Sequence, residues 1–174
     1  MEGSERREEI LRRLSQAQAP VSAASLARQL GVSRQAVVGD VALLRAQGSD
    51  VVATARGYTL SSLVPAGRYI GKIACQHSLE DTEKELTAIV RLGGHVADVS
   101  VAHFLYGEMT GQLNLSTAQD VEAFVQKVNR NKARLLSELT DGVHVHTVSC
   151  RDADTFDRIR AELGRLGLLY GENK

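Results

Sequence analysis

Cysteine is scarce in this 174-residue chain. Cys75 and Cys150 are its only two, too few for the disulfide framework that holds small secreted domains together. Long apolar runs are absent as well, and none approaches the ~20 residues needed to cross a bilayer. The N-terminal stretch MEGSERREEILRRL is charged and helical in pattern; with no apolar h-region it does not read as a secretory signal. Net charge is lacking too, with 21 basic and 21 acidic residues. The neutrality hides a mild asymmetry: residues 1–60 hold eight Arg, no Lys and six acids, a balance of +2, and the remainder has 13 basic and 15 acidic residues, a balance of −2. Charge alone therefore leaves the partner open. No repeat, low-complexity tract or glycine-rich nucleotide loop is present, which removes the common phosphate-cradling motifs. What is there is ordinary globular composition, 43% hydrophobic and 24% charged, which argues against disorder. One or two domains in a cytoplasmic protein, with no membrane association, are expected.

Residues 1–60 read as three helices and a hairpin. Ile10, Leu11 and Leu14 share one side of a helix that ends near Ala17. Pro20 and Ser22 offer a loop and an N-cap for Ala23–Leu30. Gly31 follows as a C-cap, and Ser33 caps a third helix through about Gln47, in which Ala36, Val37, Leu43 and Leu44 recur at roughly helical spacing. VVATARGYTL then reads as two short strands joined near Ala55–Gly57. Two short helices with a tight Gly-Val-Ser turn between them, followed by a hairpin, make the winged helix-turn-helix pattern. The rival reading is a three-helix packing unit that touches nothing. Against it stand Ser33, Arg34 and Gln35, which open the third helix with types suited to base edges and phosphates. Arg56 beside Gly57 suits a loop tip that meets a backbone or minor groove. Gly39 lies in the middle of the third helix, at a cost of roughly 1 kcal/mol relative to Ala. The run LARQLGVSRQAVVGDVALLRAQG resembles the helix-turn-helix that opens the bifunctional biotin repressor-ligases and related regulators.

SSLVPAG, residues 61–67, reads as a linker. From residue 68 to 174 the pattern changes. RYIGKIACQ is a strand, and LEDTEKELTAIVRLG a helix with Leu79, Leu86, Ile89 and Val90 as its stripe. HVADVSVAHFLYG and GEMTGQLNL are β-rich and separated by a short turn. TAQDVEAFVQKVNRNKA is a helix lined by Val121, Phe124, Val125 and Val128, VHVHTVS is a strand, and DADTFDRIRAELGRLG is the last helix, capped by Asp152 or Asp154. The expected fold class is α+β: an N-terminal winged helix-turn-helix followed by a two-layer βαββαβα sandwich with helices on one face of a sheet.

Histidine placement carries the chemical argument. In VHVHT, His144 and His146 are two residues apart on a strand, so both imidazoles point to one face about 6–7 Å apart and can converge on one ion. Val143 and Val145 would then face the core. His77 ends the first strand of this region, where it can reach a neighbouring strand. A carboxylate from the next helix, Glu83 or Glu85, completes a set of three nitrogens and one oxygen, and periodicity does not choose between them. The rival reading is a pair of exposed strand histidines. His95 and His103 stand without a paired partner and read as structural or pocket-lining. Cys75 shares strand parity with His77, and Cys150 with His146, so a thiolate-containing zinc site is an alternative to two small buried hydrophobes. Asp98, Glu108 and Asp141 read as solvated turn or strand-edge residues.

Taken in order, His77, then DTEKEL with LGG after it, then the stretch from Val96 through His103 and Tyr106 to TGQL, then LSELTDGVHVHT, resemble the three-histidine (3H) domain of nicotinate-responsive transcriptional repressors, over residues 68–169. The resemblance implies that His77, Glu85, His144 and His146 ligate a divalent metal, with nickel or zinc foremost. It implies that His103, and Tyr106 in the same motif, belong to the effector pocket or stand just behind it. It further implies a repressor of NAD-biosynthesis or niacin-uptake genes, with nicotinic acid as co-repressor. The partners expected are a palindromic double-stranded DNA operator and a second copy of the chain, because half-site symmetry mirrors protein symmetry. The alternatives are a metal-dependent hydrolase, and a regulator with a purely structural metal site and a different small-molecule effector. Against the first, no base stands beside the carboxylate already assigned as a ligand, and no nucleophile motif is present, so no enzyme is expected.

Overall fold

Serine caps start the two central helices of the N-terminal unit. In the computed structural model, which describes residues 2–61 and 69–171, helix α1 spans Gly3–Gln16, α2 Ala23–Leu30 and α3 Arg34–Ala46. Ser22 Oγ accepts from Ser25 N and Ser33 Oγ from Ala36 N, each at 3.1 Å, satisfying one orphan amide per helix. Gly31 ends α2 at φ +67°, a left-handed value that glycine adopts without strain. Ile10 and Leu14 from α1, Leu26 and Leu30 from α2, and Val37, Val41 and Leu44 from α3 pack into one core with Val51. Burying an aliphatic side chain of this kind contributes about 1.5–3 kcal/mol. Leu43, expected on the apolar stripe of α3, is half exposed at 50%; the inward face of α3 runs Val37, Asp40, Val41, Leu44. Strands β1 (Val51–Thr54) and β2 (Gly57–Leu60) form the antiparallel hairpin. It is tied to the segment before α2 through Val21 and Tyr58, which exchange backbone hydrogen bonds of 2.8 and 2.9 Å. Gly57 allows that approach, since a Cβ there would lie 2.4 Å from the Val21 carbonyl oxygen.

The chain divides into two units, Met1–Val64 and Pro65–Lys174. The expected linker lies outside the described residues, Ser61 excepted. The second unit runs β3 (Tyr69–Gln76), α4 (Thr82–Arg91), β4 (His95–His103), β5 (Gly107–Leu115), α5 (Ala118–Asn131), β6 (Val143–Cys150) and α6 (Ala153–Arg165), which is the βαββαβα order. Its antiparallel sheet has the order β3-β6-β4-β5. Ile73 and Cys75, His144, His146 and Val148, Val101, and Leu113 and Leu115 are buried on one face, which the helices cover. Thus Val143 and Val145, expected to face the core, are half-buried on the opposite face, and the two histidines point inward. A one-residue change of parity exchanges every side chain between the faces of a strand, and the alternation Val-His-Val-His does not say which face is covered. Leu79 likewise falls in a short 3-10 turn, Leu79–Asp81, ahead of α4 and is 48% exposed; the inward stripe is Glu85, Leu86, Ile89, Val90.

Candidate functional site

Helix α4 buries a carboxylate where apolar side chains are the rule. Glu85 is 1% exposed, whereas Glu83, the other candidate, is exposed. The Glu85 carboxylate meets the Nε2 atoms of three histidines. His77 Nε2 lies 2.8 Å from Oε2, His144 Nε2 lies 3.1 Å from Oε1, and His146 Nε2 lies 3.3 Å from Oε2. The other ring nitrogens face backbone carbonyls: His77 Nδ1 the Ser78 oxygen at 2.8 Å, His144 Nδ1 that of Gly142 at 2.8 Å, and His146 Nδ1 that of Asp98 at 2.9 Å. A carbonyl only accepts, so each Nδ1 carries the proton and each neutral ring presents an Nε2 lone pair. Three lone pairs and an anion then meet in a buried site, an arrangement that needs either protons or a cation between them. His77 Nε2, though near the carboxylate, is buried without a hydrogen-bond partner among the described residues. Such a donor set fits a divalent transition metal, and Nδ1 bonds to carbonyls are the usual way ligand rings are held in place. Burial disfavours charge on His77 and His146, but Glu85 outweighs it and raises both pKa values above the ordinary 6.5. Burial likewise opposes ionisation of Glu85, and the three histidines reverse that, holding its carboxyl well below its ordinary value. Cys75 stands with two of these residues: its Sγ, a Glu85 carboxylate oxygen and a His144 ring nitrogen all lie within 4.8 Å of one another.

A small cavity of about 40 Å³ opens over the cluster. His77, Glu85, His144 and His146 line one side; Leu86, Val99, Leu113, Phe124, Leu135 and Leu136 supply apolar walls, with Ser137 as a polar group. His103 and Tyr106 are elsewhere. They belong to the tip between β4 and β5, where the His103 ring stacks on Phe104 and Tyr106 with centroids 4.9 and 5.1 Å apart. His103 Nδ1 accepts from the amides of Leu105 and Tyr106, and Tyr106 is 71% exposed. The strand runs on for four residues past Val99, beside His146, so the tip stands about 13 Å along β4 from the cluster at ~3.3 Å per residue. His95 is structural: it is buried and its Nδ1 is 2.6 Å from Ser116 Oγ.

In the N-terminal unit Ser33, Arg34 and Gln35 are exposed at the start of α3, and Arg56 is exposed at the hairpin turn between β1 and β2. The first turn of α3 is thus open to a major groove, and its inward face is occupied by the core.

The 3H domain model matches residues 70–172, and a helix-turn-helix domain model matches residues 6–59. The chain belongs to the 3H-domain family. Over 171 residues it is 41% identical to a protein of Thermotoga maritima named as a probable transcription repressor, NiaR, covering 97% of this chain and 95% of that one. Over 169 residues it is 36% identical to the Bacillus subtilis transcription repressor NadR, covering 96% and 94%. Both are named as repressors and neither as an enzyme. The histidine cluster and its cavity lie wholly within the 3H domain. No helix among its described residues, or elsewhere among those of the chain, is long and apolar enough to cross a membrane.

Three residues of consequence escape a reading of the sequence. Gly142, at φ +83°, lets its carbonyl hold His144 while its backbone packs against His77; a Cβ would lie 2.3 Å from the His77 carbonyl oxygen. The Asp-Gly pair before the last strand of the 3H domain is a turn signal, but the close approach is not readable from it. Asp98, expected to be solvated, sits at a β-bulge after Val96 and turns its carbonyl to His146. Asp40 is 4% exposed on the inward face of α3, where Arg6 binds it through two hydrogen bonds of 2.5 and 3.2 Å. An acid between Val37 and Val41 is a legible sign of a buried pair, though the partner is 34 residues away.

Proposed function

We propose that this chain represses transcription in the cytoplasm as a homodimer, with α3 and the hairpin wing on a palindromic operator and a metal-loaded 3H domain sensing nicotinic acid as co-repressor. The convergence of three Nε2 lone pairs on one buried carboxylate supports the metal. His77, Glu85, His144 and His146 would hold the ion, and imidazole donors suit nickel or zinc. When bound, the ion supplies open positions to a carboxylate or a pyridine nitrogen. The chain supplies the rest of the recognition: carbonyls of Ser78, Gly142 and Asp98 fix the rings, and the leucines and Phe124 of the cavity take the faces and edges of a flat ring. A small aromatic acid matches that division into polar floor and apolar walls. The repressor names of the two relatives support the regulatory reading, and the resemblance to nicotinate-responsive repressors supports the effector and the control of NAD-biosynthesis or niacin-uptake genes. On DNA, Arg34 and Gln35 would read base edges, Ser33 would cap the reading helix near a phosphate, and Arg56 would meet the backbone or minor groove.

The test is a titration of labelled DNA from upstream of the chain's own gene, at fixed salt because phosphate contacts make affinity salt-dependent. Nicotinate is expected to tighten operator binding by metal-loaded protein, and the operator to tighten nicotinate binding by the same factor, a coupling of about 1–3 kcal/mol. Nicotinamide, without the carboxylate charge, should act far more weakly. Glu85→Ala or chelation should remove the response and leave basal binding. Arg34→Ala and Gln35→Ala should each cost about 1–3 kcal/mol. An operator affinity indifferent to nicotinate in the loaded protein rejects the effector; wild-type affinity in the Arg34, Gln35 double variant rejects the reading helix.

A further inference from the structure

Cys75 is the member of the buried cluster that the four proposed ligands leave out. It stands on β3 two residues before His77 and directly opposite His144 in the β3–β6 register. Cross-strand partners share a face, so its side chain points where the histidines point. It is fully buried, and the common role of such a cysteine is a small hydrophobe packed among other hydrophobes. The surroundings here are different: its Sγ shares a 4.8 Å cluster with a carboxylate oxygen and an imidazole nitrogen. His77 Nε2, 2.8 Å from an oxygen of the same Glu85 carboxylate, is buried and without a hydrogen-bond partner among the described residues. The second thiol serves as a contrast, since Cys150 Sγ donates to the Asp152 carbonyl oxygen at 3.3 Å.

We infer that Cys75 Sγ is a further ligand of the ion, which makes the centre a mixed nitrogen, oxygen and sulfur site. This rests on the metal reading above. As the sulfur–metal bond forms, the thiol proton leaves to solvent. A soft thiolate disfavours magnesium, calcium and manganese and favours zinc, nickel or cobalt, so Cys75 is a specificity-determining residue for the ion.

The experiment loads the metal-free full-length chain with Co²⁺ under reducing, anaerobic conditions and records its absorption. Wild type and Cys150→Ser are expected to show a sulfur-to-cobalt charge-transfer band in the near ultraviolet. Cys75→Ser should bind Co²⁺ without that band, and at least about tenfold more weakly. X-ray absorption of zinc-loaded wild type needs no variant: it should show a sulfur neighbour at about 2.3 Å beside nitrogen and oxygen at about 2.0–2.2 Å. Cobalt bound by wild type with no such band, or a zinc shell of nitrogen and oxygen alone, overturns the sulfur ligand and leaves the histidine–carboxylate site standing. Failure of wild type to retain either ion overturns both.

Discussion

In the metal reading proposed above, an ion would take the place of the protons that His77, His146 and Glu85 share. Glu85 raises the pKa of His77 and His146 against the opposing effect of burial, so those two groups stabilise the metal-free fold fully below about pH 6.5 and lose that contribution as pH rises through their raised values. Glu85 is the opposite case: its contribution is present above 4.5 and is lost as pH falls through its lowered value. Between about pH 4.5 and 6.5 the metal-free cluster is therefore at its most stabilising, whereas metal binding must displace the same protons and strengthens as pH rises. The rise in Tm on adding zinc is expected to widen from about pH 6 to about pH 8; a rise that is flat over that range would separate the histidines from the metal. Gly142 makes a second, steric prediction. Gly142→Ala forces a Cβ against the His77 carbonyl at a positive φ, and should cost about 1–3 kcal/mol in urea denaturation while loosening metal retention against a chelator. Unchanged stability and retention would show that the turn adjusts freely.

At the scale of elements, α3 has two duties on opposite faces. Its outward start presents Ser33, Arg34 and Gln35, and its inward face is held by Val37, Val41, Leu44 and the buried Asp40. Arg6 and Arg7 of α1 reach Asp40, which pins α3 to α1 by charge as well as by packing. Asp40→Ala removes the acceptor of two charge-assisted bonds while both guanidiniums keep partial access to water, so a loss of about 1–3 kcal/mol is expected. Denaturation of the full chain would measure it, and an Asp40→Ala variant as stable as wild type would reduce the pair to a surface contact. In the 3H domain the equivalent device is the register of β3, β6 and β4: Cys75 opposite His144 and Val99 opposite His146 bring residues from three strands under one turn of α4. Histidine spacing on the last strand was legible because strand parity is local. The covered face was not, because it depends on which side α4 and α6 pack.

For the whole molecule, the division into units 1–64 and 65–174 puts α3 with its wing and the histidine–carboxylate cluster in different units. A ligand that binds only the folded state adds stability to the unit that holds it, about 2.7 kcal/mol at a hundredfold excess over Kd. Calorimetry should therefore resolve two transitions, of which zinc or nickel raises only the one belonging to the 3H domain, and a chelator should reverse it. A metal that shifts both transitions equally, or neither, would contradict this assignment.

The order of elements, the capped helix-turn-helix, the family and the inventory of histidines were legible along the chain, because caps, turns and hydrophobic periods are interactions within a few residues of one another. That Glu85, rather than Glu83, is buried against the rings came from packing, since the rotation of α4 about its axis is set by what it packs on. The same packing turned His144 and His146 inward, drew Cys75 to them across the sheet, and placed His103 and Tyr106 at a hairpin tip away from the cavity. Each of these depends on a contact between residues distant in the chain, where register and helix rotation select one arrangement among several that the local pattern permits equally well.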